Sequence, residues 1–345
     1  MNLDLTYFNS FQVQSSQTEV RDERFGLIPF GKEIDMGASW LDTRYRSEMS
    51  TNADRAIDLA AIKDDVITVS TQESFNWPNN FSESEKYSVT KYTIAAGFKV
   101  PLYIWGNSMV TQQNYFDDKY KKLFRAMAKK KCEIMETFLE AQKTQVFSVA
   151  GAPTGYSFAA NKLTVTNAAQ TFIMFDTIRT LMEQNNLNDD IAMVASYGLK
   201  HATNQLKPYG TNNEKNLINQ MPIQTFFDGQ ITVGGANRFN GFVAQKGAFA
   251  MVPNFTPEFL SGANLADCAW GITNFAAPYL NEQVMVFQER AKSDNNSFSA
   301  SSLTDHAMSI MMGEYFIHKF YLVQKYNSDL TTRVNDIVKI EGTNA

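Results

Sequence analysis

The sequence predicts an α+β protein organised around one long helix, and three observations predict it. Residues Gln112 to Ser148 contain neither Gly nor Pro, and their apolar residues recur at helical spacing. Ahead of that run, Phe98, Val100, Leu102 and Ile104 alternate with period two, the mark of a strand with one buried face. Behind it, Met221 to Asn254 is β-like and broken by turn dipeptides at Asp228-Gly229, Gly234-Gly235 and Lys246-Gly247.

Taken in order, residues 1–40 are polar with scattered aromatics (Tyr7, Phe8, Phe11, Phe25, Phe30) and hold no period for long. Gly26, Pro29, Gly31 and Gly37 break any regular element, so the segment reads as an arm that lies on something else. Asn52 to Asp64 has a short helical pattern through Ala56, Leu59 and Ala60. Val66–Ser70 reads as a polar-leaning strand, and Glu73 to Lys86 as a hydrophilic loop with Trp77-Pro78-Asn79-Asn80 at its turn. Tyr87 to Ile94 and Phe98 to Trp105 read as two strands joined at Ala95-Ala96-Gly97.

The long helix is expected over 112–148, about 50 Å at 1.5 Å per residue. Asn114 is its expected N-cap, with Asp117 and Asp118 in the first turn, where carboxylates suit the positive helix end. Its inward stripe is Phe116, Tyr120, Leu123, Phe124, Met127, Ile134, Met135, Phe138 and Leu139, interrupted at Lys129-Lys130-Lys131. Gly151 to Gly155 is a break, after which Asn167 caps a helix 168–185 with Phe172, Phe175, Ile178 and Met182 inward. Ile191–Ser196 is a buried strand, and Tyr197 to Lys207 a helix stopped by Pro208. Glu282 to Arg290 is a strand, Leu303 to Gln324 a helical turn or two passing into a strand, and Ile337 to Ile340 a terminal strand.

Composition narrows the function classes. The 345 residues can bury a large core, and 44% hydrophobic content with 13% aromatics is globular. A net charge of −5 argues against a dedicated nucleic-acid binder but not against a protein that encloses nucleic acid. No stretch approaches the roughly eighteen apolar residues that a membrane helix needs. Met1 to Gln14 lacks the basic start and apolar centre of a secretory signal. Cys132 and Cys268 are far apart in sequence, and a free buried thiol in a reducing cytoplasm is the expectation.

The sequence offers no catalytic, cofactor-binding or metal-binding set. His306 and His318 lie outside the i, i+4 spacing that puts two imidazoles on one metal, and His201 reads as a surface residue. Gly234-Gly235 follows a strand without a helix behind it, which favours a turn over a phosphate cradle. The carboxylate pairs Asp64-Asp65, Asp117-Asp118 and Asp189-Asp190 are adjacent, so their side chains diverge. Lys119, Lys121, Lys122, Arg125, Lys129, Lys130 and Lys131 crowd the long helix. They read as a solvated face with partners such as Lys129 to Glu133 and Asp118 to Lys122, or as contacts to neighbouring subunits, ahead of packaged nucleic acid.

An arm, a hydrophilic β-excursion, a solitary long helix and a mixed body follow one another here. That order of parts resembles the major capsid protein of tailed bacteriophages, in the fold named after the Hong Kong 97 phage. Phe172 to Ile178 followed by Ile191 to Ser196 is similar to the family's axial core. Gly234 to Val243 with Gly247 to Ala250 is similar to its glycine-rich strand region. The resemblance implies an N-terminal arm at 1–40, an extended loop region at 41–86, and a peripheral domain at 87–167 with its spine helix at 112–148. An axial domain at 168–300 and a return to the peripheral domain at 301–345 complete the mapping. It further implies self-assembly as hexamers and pentamers into an icosahedral virion shell around double-stranded DNA, put together in the host cytoplasm, with no cofactor and no membrane. Scaffold, portal and decoration proteins are its implied partners. Because the chain opens almost directly on the arm, a separate scaffold or none is implied. The readings set beside it are an encapsulin-type nanocompartment, another virion protein such as a tail component, and an enzyme without a recognisable pocket.

Overall fold

The breaker-free run does form one helix, and two sheets pack about it. The computed structural model describes residues 25–52, 56–62, 84–100, 109–145, 148–170, 173–185, 187, 190–200, 223–255, 264–265, 268–276, 281–292, 304–319 and 334–344. The helices are α1 (Leu27–Met36), α2 (Thr43–Ser50), α3 (Met109–Gln142) and α4 (Met174–Gln184). The strands are β1 (Ala56–Ile62), β2 (Ser84–Val100), β3 (Tyr156–Ala159), β4 (Lys162–Val165), β5 (Ile191–Ser196), β6 (Gln224–Asp228), β7 (Asn237–Gln245), β8 (Phe249–Asn254), β9 (Asn264–Leu265), β10 (Cys268–Ala276), β11 (Asn281–Lys292), β12 (Thr304–His318) and β13 (Ile337–Thr343). The class is α+β, as expected.

The first sheet runs β1-β2-β12-β11-β10-β9, with β8 also paired to β12. One edge of β12 pairs with β2; its other edge pairs first with β11 and then, from Gly313, with β8. The second sheet runs β3-β4-β13-β7-β5-β6. Between the sheets lie α1 and α3. Tyr120, Phe124, Met135 and Phe138 of α3 share one core with Val284, Val286 and Ile310 of the first sheet and Ala192, Val194 and Phe242 of the second. The far face of the second sheet packs on α4 through Met193, Ala195, Val243 and Ile340. Covered on both faces, β5 is buried at every residue, which is why Ile191–Ser196 reads as an unbroken apolar run.

Several elements differ from expectation, each for a physical reason. Residues 25–40 are not a loose arm. Leu27, Phe30 and Ile34 are fully buried within α1, Pro29 sits in the first turn where no intrahelical N–H is lost, and residues 1–24 lie outside the description. Gly31 is a contact rather than a breaker: a Cβ there would meet the flexible end of Met135 at 2.4 Å and that of Met251 at 2.7 Å, so α1 packs closely on α3 and β8 at this point. The C-terminal end of α1 docks on the β7–β8 turn, where Gly247 has φ +88° and a Cβ would meet the Gly37 carbonyl at 2.5 Å. Gly247 N donates to Ile34 O at 2.8 Å, and Trp40 Nε1 donates to Gly247 O at 2.7 Å.

The helical pattern of 52–64 is instead β1, whose Ile57 and Leu59 turn inward to Tyr87 and Val89 of β2. The expected turn at Ala95-Ala96-Gly97 is absent; β2 is continuous, and Gly97, Ala96 and Ala95 pair with Ser309, Ile310 and Met311. Small residues fit there because Ala96 lies beneath α3. The long helix begins at Met109, so Asn114 is not its cap and Asp117 and Asp118 are not in its first turn. It ends at Gln142, whose carbonyl accepts from the Asn335 side chain. Asn167 begins a short 3-10 turn, and α4 starts later, at Met174. Leu303 to Gln324 contains no helix among its described residues; β12 covers Thr304–His318. Val66–Ser70, the Trp77 to Asn80 turn and 201–222 lie outside the description.

The sheets also cut across the expected segments. β3 and β4, from 87–167, belong to the second sheet; β8, β10 and β11, from 168–300, belong to the first. β13, from 301–345, lies in the second sheet between β4 and β7.

Candidate functional site

The chemistry-bearing residues noted in the sequence gather on and beneath α3. Helical geometry sorts its lysines by direction. Lys122, Arg125, Lys129 and Lys130 are exposed, and Lys119 and Lys121 are half-buried. Lys131 points the other way and is 1% exposed, with Nζ 2.7 Å from Glu314 Oε2 of β12. The expected break in the apolar stripe is therefore a buried ion pair joining helix to sheet. Sequence spacing carried a signal for it: Lys131 lies at i+4 from Met127 and i−4 from Met135, on the inward stripe.

Beside it, Cys132 is buried and free, as expected. Burial pushes its thiol far up, and the neighbouring Asp228 carboxylate pushes it further, so the sulfur is held protonated and inert. Asp228 is fully buried, and its Oδ2 accepts from Leu27 N at 2.8 Å, capping α1 from a strand 201 residues away. Burial pushes this carboxyl up, against the backbone N–H groups that favour its charge. Nothing local in the sequence marks that cap.

The base of the β1–β2 hairpin is held by Asn254, also fully buried. Its Nδ2 donates to Met49 O at 2.7 Å and Asn52 O at 2.8 Å, and its Oδ1 accepts from Lys91 Nζ at 2.9 Å. Lys91 reaches it by crossing Gly313, where a Cβ would lie 3.5 Å from Lys91 Cδ. Asn254→Ala strands two carbonyls and one ammonium, so it is expected to cost about 2–3 kcal/mol. Hydrogen exchange should localise the loosening to 43–52; unchanged protection there would refute the clamp.

At the far end of α3 a chain of alternating charges joins helix to second sheet. Lys162 bonds Glu341 at 3.1 Å, Glu341 bonds Lys339 at 3.2 Å, and Lys339 bonds Glu140 at 3.0 Å, with Lys143 on the same carboxylate. Burial pushes the Glu341 and Glu140 carboxyls up, but hydrogen bonds from these lysines outweigh it and hold both below the usual range. A depressed carboxyl adds stability that is present above its unfolded pKa and lost as pH falls through the folded one. Lys339 is the converse: burial lowers it, its two glutamates more than compensate, and its contribution is lost only as pH rises through its raised pKa. Lys339→Met is therefore expected to flatten the fall of Tm below about pH 5, where these carboxyls take up protons. An acid limb as steep as the parent's would contradict this.

The other sequence candidates do not converge. The helix pair is Lys130 with Glu133 at 2.9 Å, and Lys129 acts on Glu133 only through space. The Asp118 side chain lies outside the described residues. Buried His318 sits against Tyr87 and Phe138, while His306 pairs by backbone with Arg290 and Val100; His201 is not described. Asp190 bonds Lys246 at 2.9 Å, and Gly234-Gly235 precedes β7 as a turn. Among the described residues no three His, Cys, Asp or Glu are grouped to hold a metal, and no helix is long and apolar enough to cross a membrane. An open groove of about 210 Å³ between α1 and the first sheet is lined by Lys32, Asp35 and Glu314, but Asp35 is engaged by Arg46 and Glu314 by Lys131.

No family model and no curated protein matches the chain. Among solved structures, it is similar to one from Mycobacterium phage Adephagia, at 10% identity and a TM-score of 0.48 over 96% of this chain and 93% of that one. It is similar to the capsid asymmetric unit of Cyanophage A-1(L), at 11% identity and 0.49 over 87% and 92%. The capsid of a native GTA particle aligns at 10% identity and 0.44 over 87% and 89%. These TM-scores lie below 0.5, so function is argued below from the molecule's own parts.

Proposed function

We propose that this chain is the major capsid protein of a tailed bacteriophage, with a Hong Kong 97-type fold. It assembles as hexamers and pentamers into the icosahedral head around double-stranded DNA. One observation carries the reading: a 34-residue helix lies across a sheet whose strand β2 runs on past its shared partner to form a separate hairpin with β1. That hairpin exposes a polar face of Asp58, Ser84, Lys86, Ser88 and Thr90, more surface than one subunit needs for itself. The long helix is the spine and the β1–β2 hairpin the extended loop. The first sheet forms the peripheral domain, and the second sheet with α4 the axial domain.

The charged groups on α3 support a structural rather than catalytic role, since each buried one is spent on joining elements. The virion capsid is the place of action, with assembly in the host cytoplasm. Scaffold, portal and decoration proteins are partners of this reading, and the DNA is contacted without sequence preference. Light scattering and negative-stain microscopy of the purified protein test it: closed shells tens of nanometres across are expected. A small globular species at all concentrations would overturn it, and enclosed protein in place of nucleic acid would turn it toward an encapsulin.

A further inference from the structure

Six charged residues follow one another at helical spacing along one side of α3: Lys122, Arg125, Lys129, Glu133, Glu136 and Glu140, the first three exposed and the last three half-buried. Their steps of three and four keep them in one stripe. The stripe is segregated, with cations in its first half and carboxylates in its second. A polyanion would be attracted by one half and repelled by the other. The stripe fits one partner along its whole length, a second copy of itself turned end for end. In that antiparallel register Lys129 faces Glu133, Lys122 faces Glu140, and Arg125 faces Glu136 to within one residue, about a midpoint at residue 131.

We propose that α3 makes a two-fold contact with α3 of a second copy through this stripe. Because the contact is isologous, each of the three pairs occurs twice. Solvent reaches each of these groups. Lys122, Arg125 and Lys129 are exposed, and the Glu133 and Glu140 side chains are 44% and 41% exposed although Glu133 already bonds Lys130 and Glu140 bonds both Lys143 and Lys339. Glu136 accepts from the backbone N–H of Thr232 at 2.8 Å and also from the Thr232 side chain, and burial pushes its carboxyl up. A facing Arg125 would favour its charged form. Exposed pairs are individually weak and screened by salt, so the contact tightens as ionic strength falls. Its place between subunits of a shell rests on the function proposed above; the contact itself does not.

Lys129 and Glu133 decide the matter: Lys129 is exposed, and Glu133 pairs only across the helix surface with Lys130, where an ion pair adds little to stability. Lys129→Glu and Glu133→Lys each place like charges across the axis, twice per pair. Each is expected to raise the concentration for half-maximal association about tenfold in low salt. An equimolar mixture of the two variants restores complementary pairs, and so does the double substitution in one chain; both should associate as the parent does. Sedimentation velocity scores the pairwise contact, and microscopy of the same samples scores particles. The contact is overturned if the single variants associate normally, if the double variant is no better than either, or if the parent stays monomeric in low salt at high concentration. It is likewise overturned, in favour of nucleic acid, if Lys129→Glu loses DNA binding and Glu133→Lys gains it without either changing association. Pairs without particles would instead count against the shell reading alone.

Discussion

Glu314→Ala is expected to destabilise the protein by about 3–5 kcal/mol, because it removes the carboxylate 2.7 Å from the buried Lys131 ammonium. Lys131 is 1% exposed and Glu314 has 11% of its side chain exposed, so the ammonium itself stays largely out of water. The surrounding side chains of Ile94, Ile134, Met312 and Phe316 offer it no charge. Taking both charges away together is a different experiment. A Lys131→Met, Glu314→Leu double variant removes two desolvation costs with one attraction, and its stability should lie within about 2 kcal/mol of the parent or above it. Denaturant unfolding of the three proteins tests this. A single variant that loses under 1 kcal/mol, or a double variant as unstable as the single, would show that the pair is not the buried brace described. Lys130→Ala on the exposed side, where the partner Glu133 stays solvated, should change stability by well under 1 kcal/mol.

That contrast between two adjacent lysines shows which parts of the fold were legible beforehand. Periodicity found the long helix, the buried strand β5, and the turns and strands from Met221 to Asn254, since each reflects one repeating environment. It failed where one strand meets two environments. In β2, Tyr87 and Val89 are buried on one face, while Ile94, Ala96 and Phe98 pack under α3 on the other. The switch of face at mid-strand mimics a turn, and Ala95-Ala96-Gly97 supplied the residues to believe in one. Glycine misled in the same way at α1, where Gly31 packs against the Met135 and Met251 side chains from distant segments. Asp228 and Asn254 were invisible for a related reason: what each holds lies about 200 residues away in sequence. The self-complementary stripe on α3, by contrast, was written in the sequence. It emerged only once the structure had turned Lys131 inward and left Lys122, Arg125 and Lys129 outside.

Truncation separates the fold from the assembly it serves. Deleting residues 1–38 removes α1, whose Leu27, Ile28, Phe30 and Ile34 are all 4% exposed or less. At roughly 1.5–3 kcal/mol for each buried side chain, that loss is of the order of the whole stability of a domain, about 5–15 kcal/mol. It would also bare Phe226 and Phe249, which Phe30 contacts, along with the Met135 and Met251 side chains. The protein cut at 38 is therefore expected to be insoluble or unfolded rather than merely unable to assemble. Deleting residues 1–24 leaves α1, its Asp228 cap and the Gly37–Gly247 docking in place. That shorter cut should yield a soluble protein with a Tm within a few degrees of the parent, yet one that forms no closed shells by electron microscopy. Two results would each be decisive against part of this account. A folded protein from the cut at 38 would mean α1 is not part of the core, and normal particles from the cut at 24 would mean the first segment is no arm.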